Sequence, residues 1–329
     1  MIDAHPGTDV VALSDIKFSG DGVDEDGVYR CQSYTELGNR GLDVLFVSLP
    51  NDLAADATLF GLKKGLHVFC EKPPGRSVED IRKVIQVDKT NPSLKLKYGF
   101  NHRYHESVKR AKALIESGKY GRVMNLRGVY GKSRIDEGGG EWRSKRATAG
   151  GGILLDQGIH MLDMMLYFAG NFEEVHSFVS NEYWGHDVED NAFAILRSRS
   201  GCVAMIHSTA TQWRHKFRLE ITLEGALIEL AGILSGSKSY GQEQLTVVRR
   251  DGDAVHGAFS EETTQYLEDN SWRDEVHEFV DLIVDDREVH SGTSEEALRV
   301  MELVYRIYHA DQQWRDRWAI PALTQENAE

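Results

Sequence analysis

From Val10 to about Asn101 the chain alternates short runs of branched apolar residues with longer stretches of helical period. Beyond about residue 117 strand-like segments follow one another instead. Strand, helix, strand, helix closes as crossover units around a parallel sheet, whereas strands in succession pair mostly antiparallel. The switch predicts an α/β domain over 1–103 and an α+β domain over 104–329 built on a large, mostly antiparallel sheet.

In the first part Val10–Asp15, Asp43–Pro50, His67–Lys72 and Leu94–Phe100 have strand character, with helices expected over 52–65 and 77–90. The second of these opens on the capping signal Ser77-Val-Glu-Asp80. In the second part strands are expected over 122–132, 174–183, 190–198, 202–212, 216–223, 226–231 and 244–250. Helices are expected over 104–117, 152–168, 271–285 and 294–312.

Charge narrows the function classes. The 329 residues carry 38 Lys and Arg against 52 Asp and Glu, a formal charge of −14. Such a chain repels phosphate backbones and anionic lipid, and no sizeable basic patch offsets this, so neither nucleic acid nor a membrane surface is an expected partner. Apolar runs such as Val44–Val47 are about four residues long, far short of the roughly 20 that span a bilayer. Three scattered cysteines (31, 70, 202) without CxxC spacing suit a reducing compartment and give no thiolate metal site. With no apolar h-region near the start, the expected location is the cytoplasm.

The helix over 153–168 is the most informative segment. At 100° per residue Asp156, His160 and Asp163 fall on one narrow stripe, at 0°, about 40° and about −20°, while the flanks are Leu, Ile and Met. Two carboxylates and an imidazole on a helix this apolar are expected to face a wet or ligand-filled cleft. A satisfied polar cluster is the alternative, and Asp-x3-His-x2-Asp also has the donors for a metal, although no further Cys or His stands nearby to complete a site. Gly150-Gly-Gly152 before it permits close approach of backbone to a ligand, or simply a flexible loop. Lys72 and Asp15 close strands at the carboxyl edge of the parallel sheet, where ligands bind; a solvated lysine and a turn cap are the plainer readings.

In order along the chain, Val-Ala-Leu-Ser-Asp15, Ser48-Leu-Pro-Asn51, Gly65-Leu-His-Val-Phe-Cys-Glu-Lys-Pro73, Gly99-Phe-Asn-His-Arg-Tyr104, Leu114-Ile-Glu-Ser-Gly-Lys-Tyr-Gly121, Glu141-Trp-Arg143 and Gly150 to Asp163 resemble the glucose-fructose oxidoreductase, inositol dehydrogenase and rhizopine catabolism (Gfo/Idh/MocA) family. The resemblance implies a Rossmann domain followed by an open-faced sheet, with hydride transfer between NAD or NADP and a carbon of a sugar, nucleotide-sugar or cyclitol. It implies Lys72, Asp156 and His160 as catalytic residues, His160 moving the proton. It places Ser48, Pro50, Asn51, Glu71 and Lys72 along the nicotinamide half of the cofactor and Asp15 at the adenine ribose. Asn101, Arg103, Trp142, Arg143, Asp156 and His160 fall on the substrate side, with no metal, and the C-terminal sheet is expected to form a homo-oligomer. The chemistry suits these residues, since a histidine can take a hydroxyl proton near neutral pH while a lysine stabilises the alkoxide.

Two departures stand out. Ala54 occupies a position where relatives commonly carry histidine, and no GxGxxG follows a strand. The fingerprint stands about 20 residues before the ribose acid, which for Asp15 is before Met1. The expectation is therefore an incomplete first strand and helix, with the Val10 and Asp43 strands each lacking a neighbour. NAD(P) binding is expected to be weaker than in a chain about 20 to 25 residues longer. An NAD-using glycosidase and a cofactor-free binding subunit are the alternative functions. Tyr183, Trp184, His186, Trp213 and Arg214 suit either the substrate side or sheet packing.

Overall fold

The computed structural model describes residues 2, 5–135, 141–235, 239–250 and 259–323. It divides into two compact units, Met1–Phe100 with Trp272–Leu298, and Asn101–Ser271 with Arg299–Glu329. The first unit leaves off at Phe100. The chain then returns to the first unit late, which no local pattern foretells.

In the first unit β1 (Ala12–Ser14), β2 (Gly22–Val23) and β3 (Tyr29–Cys31) form one small sheet in the order β1-β3-β2. β4 (Val44–Val47), α1 (Asn51–Lys63), β5 (His67–Glu71), α2 (Val78–Asp88) and β6 (Leu96–Gly99) follow, the strands pairing in parallel as β4-β5-β6. The single parallel sheet expected from the sequence is therefore two. β1 pairs with β3, a strand too short and polar to be foreseen, and β1 and β4 are both edges among the described residues. Ser77 caps α2, its hydroxyl accepting the Asp80 N–H at 3.2 Å.

The returning segment completes this unit. Phe279, from α6 (Ser271–Val284), meets the rings of Phe46 and Phe69 with centroids at 6.0 and 5.6 Å. Glu275 accepts the Phe100 N–H at 2.7 Å, and the fully buried Lys97 donates to the Ser291 carbonyl at 2.5 Å and pairs with Glu278 at 3.2 Å.

The second unit contains α3 (Glu106–Glu116), β7 (Val123–Gly131), α4 (Arg146–Ala149), a π-helical turn at Leu154–Gly158, α5 (Ile159–Ala169) and β8 (Phe172–Ser180). β9 (Asn191–Ser198), β10 (Val203–Thr209), β11 (Lys216–Leu223), β12 (Ala226–Ala231), β13 (Glu243–Arg250) and β14 (Phe259–Tyr266) follow, and α7 (Ser294–Ala310) and α8 (Gln312–Trp318) close the chain. Eight strands form one sheet, β14-β13-β12-β11-β7-β10-β9-β8, parallel only at β7–β10. The expected mostly antiparallel sheet is thus mixed at its centre.

Alternation decides the faces. Leu126, Tyr130, Ala204, Ile206, Leu219 and Ile221 point to a buried side covered by α3 and α5. A Cβ on Gly128 would stand 2.6 Å from Met161 Sδ and 2.7 Å from Met165 Cε, so the missing side chain seats α5 on β7. No described helix is long and apolar enough to cross a membrane.

Candidate active site

The loop that starts the Asp156–His160 segment is fixed by backbone geometry and by one buried carboxylate. Gly150 ends α4 at φ 80°, a left-handed value suited to glycine. A side chain on Gly151 would strike the Tyr308 hydroxyl, and one on Gly152 the Glu189 carbonyl oxygen. Gly151 and Gly152 therefore serve close packing of the protein on itself, and Gly150 the left-handed turn.

Glu189, wholly buried, accepts the Gly152 N–H at 2.7 Å on Oε2, and the Leu154 N–H at 2.9 Å and the Tyr308 hydroxyl at 2.7 Å on Oε1. Burial raises its pKa, against the lowering effect of these donors. Orphan N–H groups at the start of a helical segment thus have a carboxylate as their cap.

The wide turn over Leu154–Gly158 breaks the regular 100° spacing, and the expected stripe separates. Asp156 stays partly exposed, its Oδ2 3.6 Å from Lys132 Nζ and its Oδ1 3.7 Å from Arg143 Nε. Gln157 donates to Oδ2 at 3.1 Å. His160 is 4% exposed and its ring lies on that of His102, centroids 3.7 Å apart and planes 13° apart. Asp163, rather than facing a cleft, is buried in a two-pronged pair with Arg103, at 2.9 Å from Nε and 2.5 Å from the terminal nitrogen.

Other expected substrate-side residues divide in the same way. Arg103 is buried against Asp163 and the face of Tyr167, and Asn101 is buried, donating to Ser271 Oγ at 3.2 Å. Trp142 and Arg143 remain near the surface, the guanidinium 4.3 Å from the indole centroid. Lys132, Glu189, Tyr308 and His102 carry much of the arrangement without having been assigned a role from sequence. Advance signals are the Gly99-Phe-Asn-His-Arg-Tyr104 motif around His102 and Val188-Glu-Asp190 opening a strongly alternating strand.

In the first unit the ends of β4 and β5 lie side by side, because Val47 and Cys70 are in register. Ser48 is exposed, Pro50 leads into α1, and Asn51 is buried at its first position. Glu71 ends β5 over Gly99, whose missing Cβ leaves space for the carboxylate. Burial pushes its pKa up to about 7 despite the neighbouring Lys72, which is joined to Pro73 by a cis peptide. Asp15 is exposed after β1 and accepts the Lys17 N–H at 2.9 Å, holding a turn.

Acid, amide and cation therefore lie near the carboxyl ends of β4 and β5, the edge at which ligands bind in open parallel sheets. Asp52 Oδ1, in the first turn of α1, is shielded from water without a hydrogen-bond donor among the described residues. Backbone donors for a diphosphate in a GxGxxG loop are not encoded in the 329 residues.

Comparison with known proteins adds to this. Residues 1–98 match the model of the oxidoreductase family with an NAD-binding Rossmann fold, and residues 108–229 that of the GFO/IDH/MocA C-terminal domain. Levoglucosan dehydrogenase of Pseudarthrobacter phenanthrenivorans is 30% identical over 141 residues, 42% of this chain and 36% of that protein. The 1,5-anhydro-D-fructose reductase of Ensifer adhaerens is 28% identical over 215 residues, 62% of each. The chain thus spans less than two thirds of the length of these relatives. A putative NADPH-dependent oxidoreductase of Desulfitobacterium hafniense superposes with a TM-score of 0.79 at 19% identity, covering 94% of this chain and 90% of that one, which shows the shared fold. A glycine-guided helical segment carrying Asp156 and His160 on an open mixed sheet, preceded by parallel strands that lead into Asn51, Glu71 and Lys72, together with both domain matches, makes the chain a member of the Gfo/Idh/MocA oxidoreductase family.

Proposed function

We propose that the protein is an NAD(P)-dependent dehydrogenase or reductase acting on a hydroxyl-bearing carbon of a sugar or cyclitol. The observation that carries this is Asp156, held between Lys132 and Arg143 one helical turn from His160 on a segment whose start Glu189 caps at Gly152 and Leu154. A carboxylate flanked by two cations at the surface presents acceptors and donors together, the pattern that vicinal hydroxyls satisfy. Similarity to dehydrogenases and reductases of levoglucosan and anhydrofructose supports the substrate class.

Bound NAD(P) supplies the two-electron acceptor or donor. Pro50, Asn51, Glu71 and Lys72 hold its nicotinamide half and Asp15 its adenine ribose. In the oxidative direction His160 takes the hydroxyl proton as the C–H electron pair leaves and the C=O bond forms, Lys72 stabilises the developing oxyanion, and Asp156 orients the substrate. The C-terminal sheet also joins two copies. On its outer face Phe178 opposes Phe193 and Ile195 opposes Met205, with Val203 beside them, all well exposed.

The test is turnover on a panel of sugars and cyclitols with NAD and NADP, followed by NAD(P)H absorbance. His160→Ala and Lys72→Ala should each lower kcat by about 10²-fold or more with the fold intact. Near wild-type turnover of both variants would refute the assignment, and glycoside cleavage with no net change of cofactor would replace dehydrogenase by glycosidase.

A further inference from the structure

We infer that His102 is a positioning residue for His160, kept neutral as the Nδ1–H tautomer by a one-way hydrogen-bond chain that ends on Asp269. The inference rests on the reading of His160 as the proton carrier and adds to it a partner that this reading does not use.

The direction of the chain follows from its far end. Asp269 is exposed, and its carboxylate only accepts, so Ser271 Oγ donates to it at 2.7 Å. Ser271 Oγ then receives the Asn101 amide N–H at 3.2 Å. With its NH2 group turned that way, Asn101 presents Oδ1 to His102 Nδ1 at 3.1 Å, so Nδ1 carries the proton. With the Tyr130 hydroxyl as donor, His102 Nε2 accepts its hydrogen at 3.0 Å and the ring is neutral. Every bond is polarised toward the carboxylate, an arrangement in which each strengthens the next.

The consequence lies on the ring face. His160 and His102 are nearly parallel with centroids 3.7 Å apart, and both are buried. Two imidazolium rings stacked at that separation repel, so a proton on His160 requires that His102 carry none. The chain meets this requirement, and its pull toward Asp269 makes the His102 ring electron-rich beneath a ring that becomes positive. A third ring, His105, stands edge-on to His102 at 5.5 Å and is matched by Glu243, 2.8 Å from its Nδ1. His102 also fixes the plane of His160, so that its proton-accepting nitrogen keeps one direction.

The test uses the full chain labelled with [15N]histidine, the His102 signals being assigned by their loss in His102→Phe. Side-chain nitrogen shifts should show His102 with one protonated nitrogen, Nδ1, from about pH 6 to 8. Ser271→Ala, which leaves both rings in place, should abolish that single-tautomer signature, whereas Tyr130→Phe should keep Nδ1 protonated. Kinetically, His102→Phe and Ser271→Ala should each lower kcat by about 10-fold with KM within about 2-fold. A charged or Nε2–H His102, or unchanged kcat in these variants while His160→Ala is inactive, overturns the inference. Full activity of His160→Ala would instead overturn the proton-carrier reading, so the two failures are distinguishable.

Discussion

Glu189 offers the most direct test of how the fold supports the site. Three donors converge on its two oxygens, and all four groups are buried, so each bond removed leaves a partner with no water to replace it. An orphaned buried donor costs roughly 1 to 3 kcal/mol. Tyr308→Phe removes donor and bond together while keeping the ring, and should cost about 1 kcal/mol. Glu189→Gln keeps one acceptor oxygen for Leu154 and Tyr308 but turns an NH2 toward the Gly152 N–H, so a loss of about 2 to 3 kcal/mol is expected. Glu189→Leu strands all three donors, for about 4 to 6 kcal/mol. Thermal and urea unfolding of the three variants should rank them in that order, with kcat falling in step because Asp156 begins four residues beyond Gly152. Glu189→Gln within about 0.3 kcal/mol of wild type, or Tyr308→Phe more damaging than Glu189→Leu, would refute the clamp.

Three further outcomes follow from the same structure. Glu71 has its pKa raised by burial from 4.5 to about 7, so the stability contributed by its protonated form is complete below pH 4.5 and lost as pH rises through 7. Glu71→Gln should therefore nearly match wild type near pH 4.5 and exceed it by about 3 kcal/mol near pH 8 in unfolding experiments, a gap that must grow between these pH values. Gly152→Ala drives a Cβ into the Glu189 carbonyl and should cost about 3 kcal/mol, whereas Gly20→Ala, with nothing within 4 Å of the new atom, should change the melting temperature little. Phe193→Glu should shift the protein toward monomer in sedimentation analysis, whereas Lys89→Glu, exposed at the end of α2, should leave its mass unchanged; equal masses for wild type and Phe193→Glu would exclude the apolar sheet face as the contact.

Periodic segments were legible in the sequence because burial imposes them: β4, β5 and β6 and the sheet from β7 to β13 lie where alternation or branched apolar runs place them. β2, β3, β14 and α8 escaped because Phe259-Ser-Glu-Glu-Thr-Thr-Gln-Tyr266 and Gln312-Gln-Trp-Arg-Asp-Arg-Trp318 expose most of their residues and carry little pattern. At the site, the spacing of Asp156 and His160 marked the segment, but a π turn has no sequence period of its own, so the fate of Asp163 was not visible. Partners brought from far along the chain were equally hidden. Glu189 and Tyr308 reach Gly151 and Gly152 from 37 and more residues away, and the glycine triplet gave no sign that a carbonyl and a hydroxyl were the cause.

The late return of Trp272–Leu298 to the first unit has a consequence in time. Roughly 170 residues separate Phe100 from Trp272, which at 5 to 20 residues per second is on the order of 10 to 30 s of synthesis. Throughout that interval the aromatic side of Phe46 and Phe69 awaits Phe279, and the acids that meet Lys97 and the Phe100 amide do not yet exist. The unit begun first at the ribosome is thus completed only after the whole eight-stranded sheet has been translated. Nascent chains stalled between residues 100 and 270 should bind holdase chaperones through this half, and a gene cut after residue 100 should give an aggregating fragment in place of an isolated dinucleotide domain.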